Sequence, residues 1–106
     1  MANPHAGEVA LVIDGQRRVL KLTLGALAEL EESLGAPSLM ALIERFESGR
    51  FSARDVMALI LAGLHGAGDP MPADALLRAD IEGGAGAAAR AAGLVLARAF
   101  AVPGAG

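Results

Sequence analysis

The sequence predicts an α+β domain, mainly helical, in which an N-terminal β-hairpin packs on four to five short helices. Three observations carry this expectation. Two apolar runs near the start flank Asp14-Gly15, a dipeptide that favours the positive φ of a tight hairpin turn. Beyond Thr23 the leucines recur at spacings of three and four, the period of an amphipathic helix. Ser, Gly and Pro then divide the rest of the chain into helix-length segments. At 106 residues, 54% of them hydrophobic, the chain has the length of one compact domain and enough apolar side chain to build its core.

Residues 1–7 (MANPHAG) read as a flexible lead-in, and Glu8 to Ile13 as the first strand. After the turn, Arg18 to Thr23 (RVLKLT) alternates well enough for the second. Thr23 is placed to N-cap a helix whose apolar stripe is Leu24, Leu27, Leu30 and Leu34, with Gly35 as its stop and Pro37 preventing continuation. Ser38 caps a second helix carrying Leu39, Leu42, Ile43 and Phe46 on one face and ending near Ser48-Gly49. Ser52 and Asp55 have the spacing of a capping box and open a third helix. Val56, Met57, Leu59, Ile60, Leu61 and Leu64 cover more than half of its circumference, which makes it the buried central helix. Gly63 lies within that arc and predicts close approach of a neighbouring backbone.

The segment Gly66 to Pro72 (GAGDPMP) is a connector. A short fourth helix is expected over Ala73 to Ile81, with Leu76, Leu77 and Ile81 inward, and Gly83-Gly84 breaks it. Ala85 to Ala101 forms the last helix, and residues 102–106 are expected to fray, leaving 8–101 as a single domain. A two-stranded hairpin is marginal alone, so it packs on the helices and leaves a strand edge open. Such an edge predicts self-association or pairing with a partner.

Composition excludes several classes of chemistry. The absence of cysteine removes disulfides, thiol nucleophiles and thiolate metal sites. A net charge of -3 with three Phe, no Trp and no Tyr leaves neither a phosphate-tracking surface nor base-stacking platforms, so nucleic acid is not expected as a partner. The start lacks the basic and apolar regions of a secretory signal, and the apolar stretch from Ala85 to Val102 is interrupted by Arg90 and Arg98. No membrane partner is expected, and the expected location is cytoplasmic.

The motifs that resemble sites have plainer explanations. Gly84-Ala85-Gly86-Ala87-Ala88-Ala89 matches a variant of the dinucleotide fingerprint, but the preceding segment reads as helix and the chain ends before a ribose-binding acid. His65 and Asp69 are the one His–carboxylate pair close in sequence, and His65 near a helix C-terminus is favoured by the macrodipole. Ser33, Ser38, Ser48 and Ser52 read as helix-end residues, and no G-x-S-x-G elbow surrounds them. No residue is assigned a catalytic, cofactor-binding or metal-binding role, and the chain is read as not an enzyme. A small enzyme or ligand-binding domain is kept as an alternative, to be raised by a pocket with converging polar groups.

The candidates for partner contact are Glu29, Glu31 and Glu32 on the first helix and Arg90, Leu94 and Arg98 on the last. Glu31 falls between Leu24 and Leu27 on the helical wheel, so it is expected to be partly buried or at an interface, paired with Arg45, Arg50 or Arg54. On the last helix, Arg90, Leu94 and Arg98 line one side, with Ala89, Ala92, Leu96, Ala99 and Phe100 opposite. Two readings stand: a helix docking Leu96 and Phe100 on the core, or a detachable helix with Leu94 as a small binding patch.

The order of features is more specific than any single one. The stretch VALVIDGQRRVLKLTLGAL is followed by LAELEESLGAPSLMALIERFESG, then by RFSARDVMALILAGLHGAG and an Ala-rich helix. This resembles the gene transfer agent family of small phage-tail-like proteins, described as tail assembly chaperones or as tail tube proteins, across Glu8 to Ala101. The resemblance implies a non-enzymatic assembly factor of a phage-like tail, a chaperone that binds the tape-measure protein and recruits tail tube subunits. The alternative it carries is a structural component incorporated in the particle. Met71, with the leucines, would supply an adaptable apolar surface for a helical client, while Met40 and Met57 are placed either there or, as the first choice, in the core.

Overall fold

The computed structural model describes residues 7–34 and 39–100. The chain order is β1 (Val9–Ile13), β2 (Gln16–Leu20), α1 (Leu24–Leu34), α2 (Leu39–Ser48), α3 (Ala53–Gly66), α4 (Ala73–Leu77) and α5 (Gly84–Ala99). This is an α+β, mainly helical fold opening on a hairpin. The proposed ends of the chain, and the Gly35, Pro37 and Ser38 punctuation, lie outside the described residues.

The hairpin forms where Asp14-Gly15 directs it. Asp14 has φ 52° and Gly15 φ 77°, the pair of left-handed residues that a two-residue turn matching the strand twist requires. The register follows, with Ile13 opposite Gln16 and Val9 opposite Leu20. The second strand thus begins at Gln16, two residues before the sequence pattern suggests, because the turn closes immediately. Val9, Leu11, Ile13 and Leu20 are buried on the inner face.

Helix α3 is the central element, as its sequence predicts, in contact with α1, α4, α5 and β2. Its capping box is complete: the Asp55 N–H donates to Ser52 Oγ at 3.1 Å and the Ser52 N–H to Asp55 Oδ2 at 3.0 Å. Leu59, Ile60 and Leu64 are fully enclosed. Gly63 meets β2 so closely that a Cβ there would lie 2.9 Å from the Leu20 Cβ. Its carbonyl accepts the Lys21 N–H at 2.9 Å. This is the close backbone approach that the glycine predicts.

Three further elements differ from their sequence expectations. In α1 the buried side chains are Ala26 and Leu30, with Leu27 half-buried, while Leu24 is 86% exposed. Leu24 precedes Ala26 by about 200° on the wheel, so a stripe centred on Ala26 and Leu30 leaves it outside. The Thr23 hydroxyl caps this helix, accepting the Ala26 N–H at 3.1 Å. Helix α4 ends at Leu77, short of Ile81, and Leu77 is exposed. Residues 80–82 instead run beside β1: Ile81 forms a bridge with Ile13, Glu82 N–H donates to the Val12 carbonyl, and Asp14 N–H to the Asp80 carbonyl. Part of the β1 edge expected to be open is therefore occupied. Helix α5 buries Ala88, Ala91, Ala92, Val95 and Leu96, whereas Phe100 falls on its C-cap and is 44% exposed. The small alanines let α5 lie close against α3, a contact that bulkier residues would hold apart.

Candidate functional site

Three concave surfaces stand out among the described residues. The first lies between α1 and α3, lined by Leu30, Met57, Ala58, Leu61 and Ala62 with Glu29, Arg54 and His65 at its rim, and measures ≈ 530 Å³. The second, ≈ 340 Å³, runs between β1 and the first half of α5. The third, between α2 and α5, is the largest at ≈ 850 Å³. Ile43, Phe46, Phe51, Leu94, Leu96 and Phe100 line it, and Glu47 and Arg90 stand at its edges.

The acidic candidates of α1 point to solvent. Glu29, Glu31 and Glu32 are all exposed. Glu29 is tied to α3, with its Oε2 3.0 Å from His65 Nδ1. Glu31 is solvated, and no ion pair reaches it among the described residues. The expected arginine pairing is thus overturned. Glu31 follows Leu24 by seven residues and so shares its side of the helix, and the rotation that exposes one exposes the other. Two of the expected arginines are engaged elsewhere. Arg50 Nε donates to Ser48 Oγ at 3.2 Å. Arg45 meets Asp55 in a fork, Nε to Oδ2 at 3.0 Å and Nη2 to Oδ1 at 3.1 Å.

That pair is the one strongly built charge site among the described residues. Asp55 is 5% exposed. Burial pushes its carboxyl upward, but the Ser52 backbone N–H, the Arg45 guanidinium and the Ser52 hydroxyl outweigh burial and hold it below its ordinary value of 3.8. The arrangement locks the end of α2 to the start of α3, and it lines none of the three surfaces. Its role is structural.

The α5 candidates separate. Arg98 turns back to the hairpin and donates from Nη1 to the Glu8 carbonyl at 2.7 Å, clamping the start of β1. Arg90 is exposed and Leu94 is 40% exposed, both beside the α2–α5 groove. Leu94 is therefore the exposed apolar residue that the helical pattern indicates, although α5 itself is docked through Val95 and Leu96.

Sequence reasoning missed the groove itself. Phe46, on the apolar face of α2 and packed against the core, also stacks on Phe51 at a ring separation of 4.6 Å and 6° between planes and lines the groove. The usable signal was the pair of phenylalanines bracketing Gly49, a residue that reverses the chain with φ 76° and returns the second ring beside the first.

None of the three surfaces assembles the parts of a reaction centre. Ser33 lines the α1–α3 cleft near His65, but its hydroxyl donates to the Leu30 carbonyl at 3.3 Å, not to the imidazole. His65 and Asp69, four residues apart in sequence, part company: Asp69 pairs with Arg18 of the hairpin at 2.8 Å. Among the described residues there is no group of three or more His, Cys, Asp or Glu placed to hold a metal ion. No helix among them is long and apolar enough to cross a membrane. The walls are apolar, and such surfaces suit contacts with other proteins.

Neither the curated proteins nor the solved structures give a significant match to the chain. One protein family matches it over residues 6–102, nearly its whole length, spanning the hairpin, every helix and all three grooves. A chain of apolar grooves and solvated charge, matched from end to end in this way, belongs to the family described as phage tail tube protein, GTA-gp10.

Proposed function

We propose that this chain is a structural component of a phage-like tail of the gene transfer agent type, held in the particle by contacts with other tail proteins. The match over residues 6–102 to a family described as a tail tube protein carries this reading. The apolar lining of the grooves supports it, since tail assembly rests on protein–protein contact and not on small-molecule chemistry. The test is the composition of finished particles. Purified particles, analysed by quantitative mass spectrometry, should contain this chain in several copies relative to other tail proteins. Its absence from particles that are otherwise complete overturns the reading.

A second reading has its own observation. The described residues contain one two-stranded sheet, fewer strands than a continuous β-wall would draw from each subunit. A tail assembly chaperone needs no such wall. It would act in the cytoplasm of the producing cell, hold the apolar stripes of the helical tape-measure protein in grooves between its helices, and pass the complex to tube subunits. Co-expression with the tape-measure protein separates the two. A chaperone raises the soluble fraction of that protein and co-purifies with it, while remaining absent from finished particles.

A further inference from the structure

We propose that the outer edge of β1 accepts one extended strand of a partner protein, a segment that carries a carboxylate between two apolar side chains of the same face. The observation is a gap between two clasps. Ile13 stands opposite Gln16, directly flanking the turn, so the odd-numbered residues of β1 bond to β2 and the even-numbered ones turn their main-chain groups outward. At one end the Val12 carbonyl accepts the Glu82 N–H, and the Asp14 N–H donates to the Asp80 carbonyl. At the other end Arg98 covers the Glu8 carbonyl. Between them the Ala10 N–H, the Ala10 carbonyl and the Val12 N–H have no hydrogen-bond partner among the described residues, and both residues are only half-buried. They open into the groove of ≈ 340 Å³ between β1 and α5. Donor, acceptor and donor along one strand edge are answered in full by another extended main chain.

The wall opposite specifies the side chains. The same clasps set α5 antiparallel to β1, its start near Val12 and Arg98 beside Glu8, so Arg90 stands near the level of Ala10. Ala87, Arg90 and Leu94 share the face of α5 that lines the groove. Their steps along the helix axis, about 4.5 and 6 Å, come close to the separation of about 6.6 Å between same-face residues of a strand. Arg90 is exposed and forms no ion pair among the described residues. The other charges of the groove, Arg17 and Glu82, both lie at the Val12 end and are opposite in sign, which leaves Arg90 unmatched. A strand of pattern apolar, any, acidic, any, apolar thus sets its carboxylate on Arg90 and its apolar side chains on Ala87 and Leu94. A second copy of this chain does not supply such a strand from its described residues. Its β1 and β2 are paired with each other and carry α5 and α3 against them, so neither enters the groove bare. The inference goes beyond the tail reading, because it does not depend on whether the chain enters the particle.

The test is a heteronuclear NMR titration of the full chain with a capped pentapeptide, valine-threonine-glutamate-threonine-valine. In the free chain the Ala10 and Val12 amides should exchange with solvent at least about tenfold faster than those of Leu11 and Ile13, which face β2. The peptide should shift and protect the Ala10 and Val12 amides in a saturable way. Lysine in place of its glutamate should weaken binding by about tenfold, and Arg90→Glu should reverse that preference. Methylating one alternate set of peptide amide nitrogens should abolish binding and methylating the other should spare it, with the protein itself unchanged. Ala10→Pro removes an outward N–H, leaves the bonds to β2 in place and should fold, by circular dichroism, without binding. Ala10 and Val12 amides as protected in the free chain as that of Leu11 overturn the open edge. Absence of saturable binding, a preference for lysine, or tolerance of both methylated sets overturns the strand acceptor. Shifts of these amides with protein concentration alone also overturn it, because a second copy then fills the edge. None of these results alters particle composition, so failure here leaves the tail reading intact.

Discussion

Gly66→Ala puts the packing of α3 on the chain entering α1 to a quantitative test. A Cβ at Gly66 would overlap the Lys21 carbonyl oxygen and lie 2.9 Å from the Lys21 carbonyl carbon and 3.3 Å from the Thr23 nitrogen. These are backbone atoms between β2 and α1, and Lys21 is itself fixed by its bond to the Gly63 carbonyl. They cannot rotate aside as a side chain can. Alanine gains about 1 kcal/mol over glycine in a helix interior, and less at the final residue of α3. Overpacking against fixed neighbours costs about 1–3 kcal/mol, with backbone clashes at the upper end. The balance is a loss of about 2 kcal/mol, or about 8–16 °C in Tm for a domain of this size. Urea and thermal unfolding followed by circular dichroism measure it. Gly86→Ala is the control, since no atom lies within 4 Å of its Cβ position in α5, and it should gain about 0.5 kcal/mol. Gly63→Ala should fall between, because its nearest obstacle, the Leu20 Cβ at 2.9 Å, is fixed to the backbone but lies farther off than the atoms facing Gly66. A Gly66→Ala protein as stable as the wild type would refute the close approach and the reasoning built on it.

Four further outcomes are expected. Ser52→Ala removes the hydroxyl half of the α3 capping box and should cost about 1 kcal/mol in urea unfolding. The folded Asp55 has a pKa below its unfolded value of 3.8, so its contribution is present above that pH and is lost as pH falls through the lower folded value. Acid titrations of stability should therefore be flatter for Asp55→Asn than for the wild type, and the variant should be less stable near neutrality. Glu31→Gln, at a solvated position, should change unfolding free energy by less than about 0.5 kcal/mol. Glu29→Gln should likewise cost no more than about 1 kcal/mol, because its bond to His65 is exposed on both sides.

The features that could be read from the sequence are those decided locally. Asp14-Gly15 sets the hairpin because few residues tolerate two successive positive φ angles. Ser52 and Asp55 define the start of α3 because the box closes within a single turn. Gly63 announced a backbone contact because only a missing side chain allows one in an apolar arc. The features that could not be read depend on rotation and distance. The phase of α1 is chosen by the seating of Ala26 and Leu30 against α3, and that choice exposes Leu24 and Glu31 together. Ile81 leaves its helix to bridge β1, a partner 68 positions away that periodicity cannot see. Phe46 has the spacing of a core residue and does pack against the core, but that it also lines a groove depends on its meeting with Phe51 and Gly93, which spacing does not show. Leu94 was legible because an apolar residue between two arginines breaks the pattern of its own helix.

The clasp between the hairpin turn and the segment joining α4 to α5 has a consequence for the order in which the chain acquires structure. The Asp14 N–H bonds the Asp80 carbonyl, and the Asp80 N–H returns to Asp14 Oδ1, each at 2.8 Å, across a separation of 66 residues. The hairpin is thus completed by a segment synthesised 66 residues after its turn. A two-stranded hairpin does not persist alone in water. The loop-closure entropy for its final backbone contacts falls due only once residues 80–82 have emerged. Such non-local contacts slow folding and make it cooperative. Nascent chains stopped before residue 80 should expose the edge of β1 to other strands, so that synthesis of the second half of the chain is what protects the first.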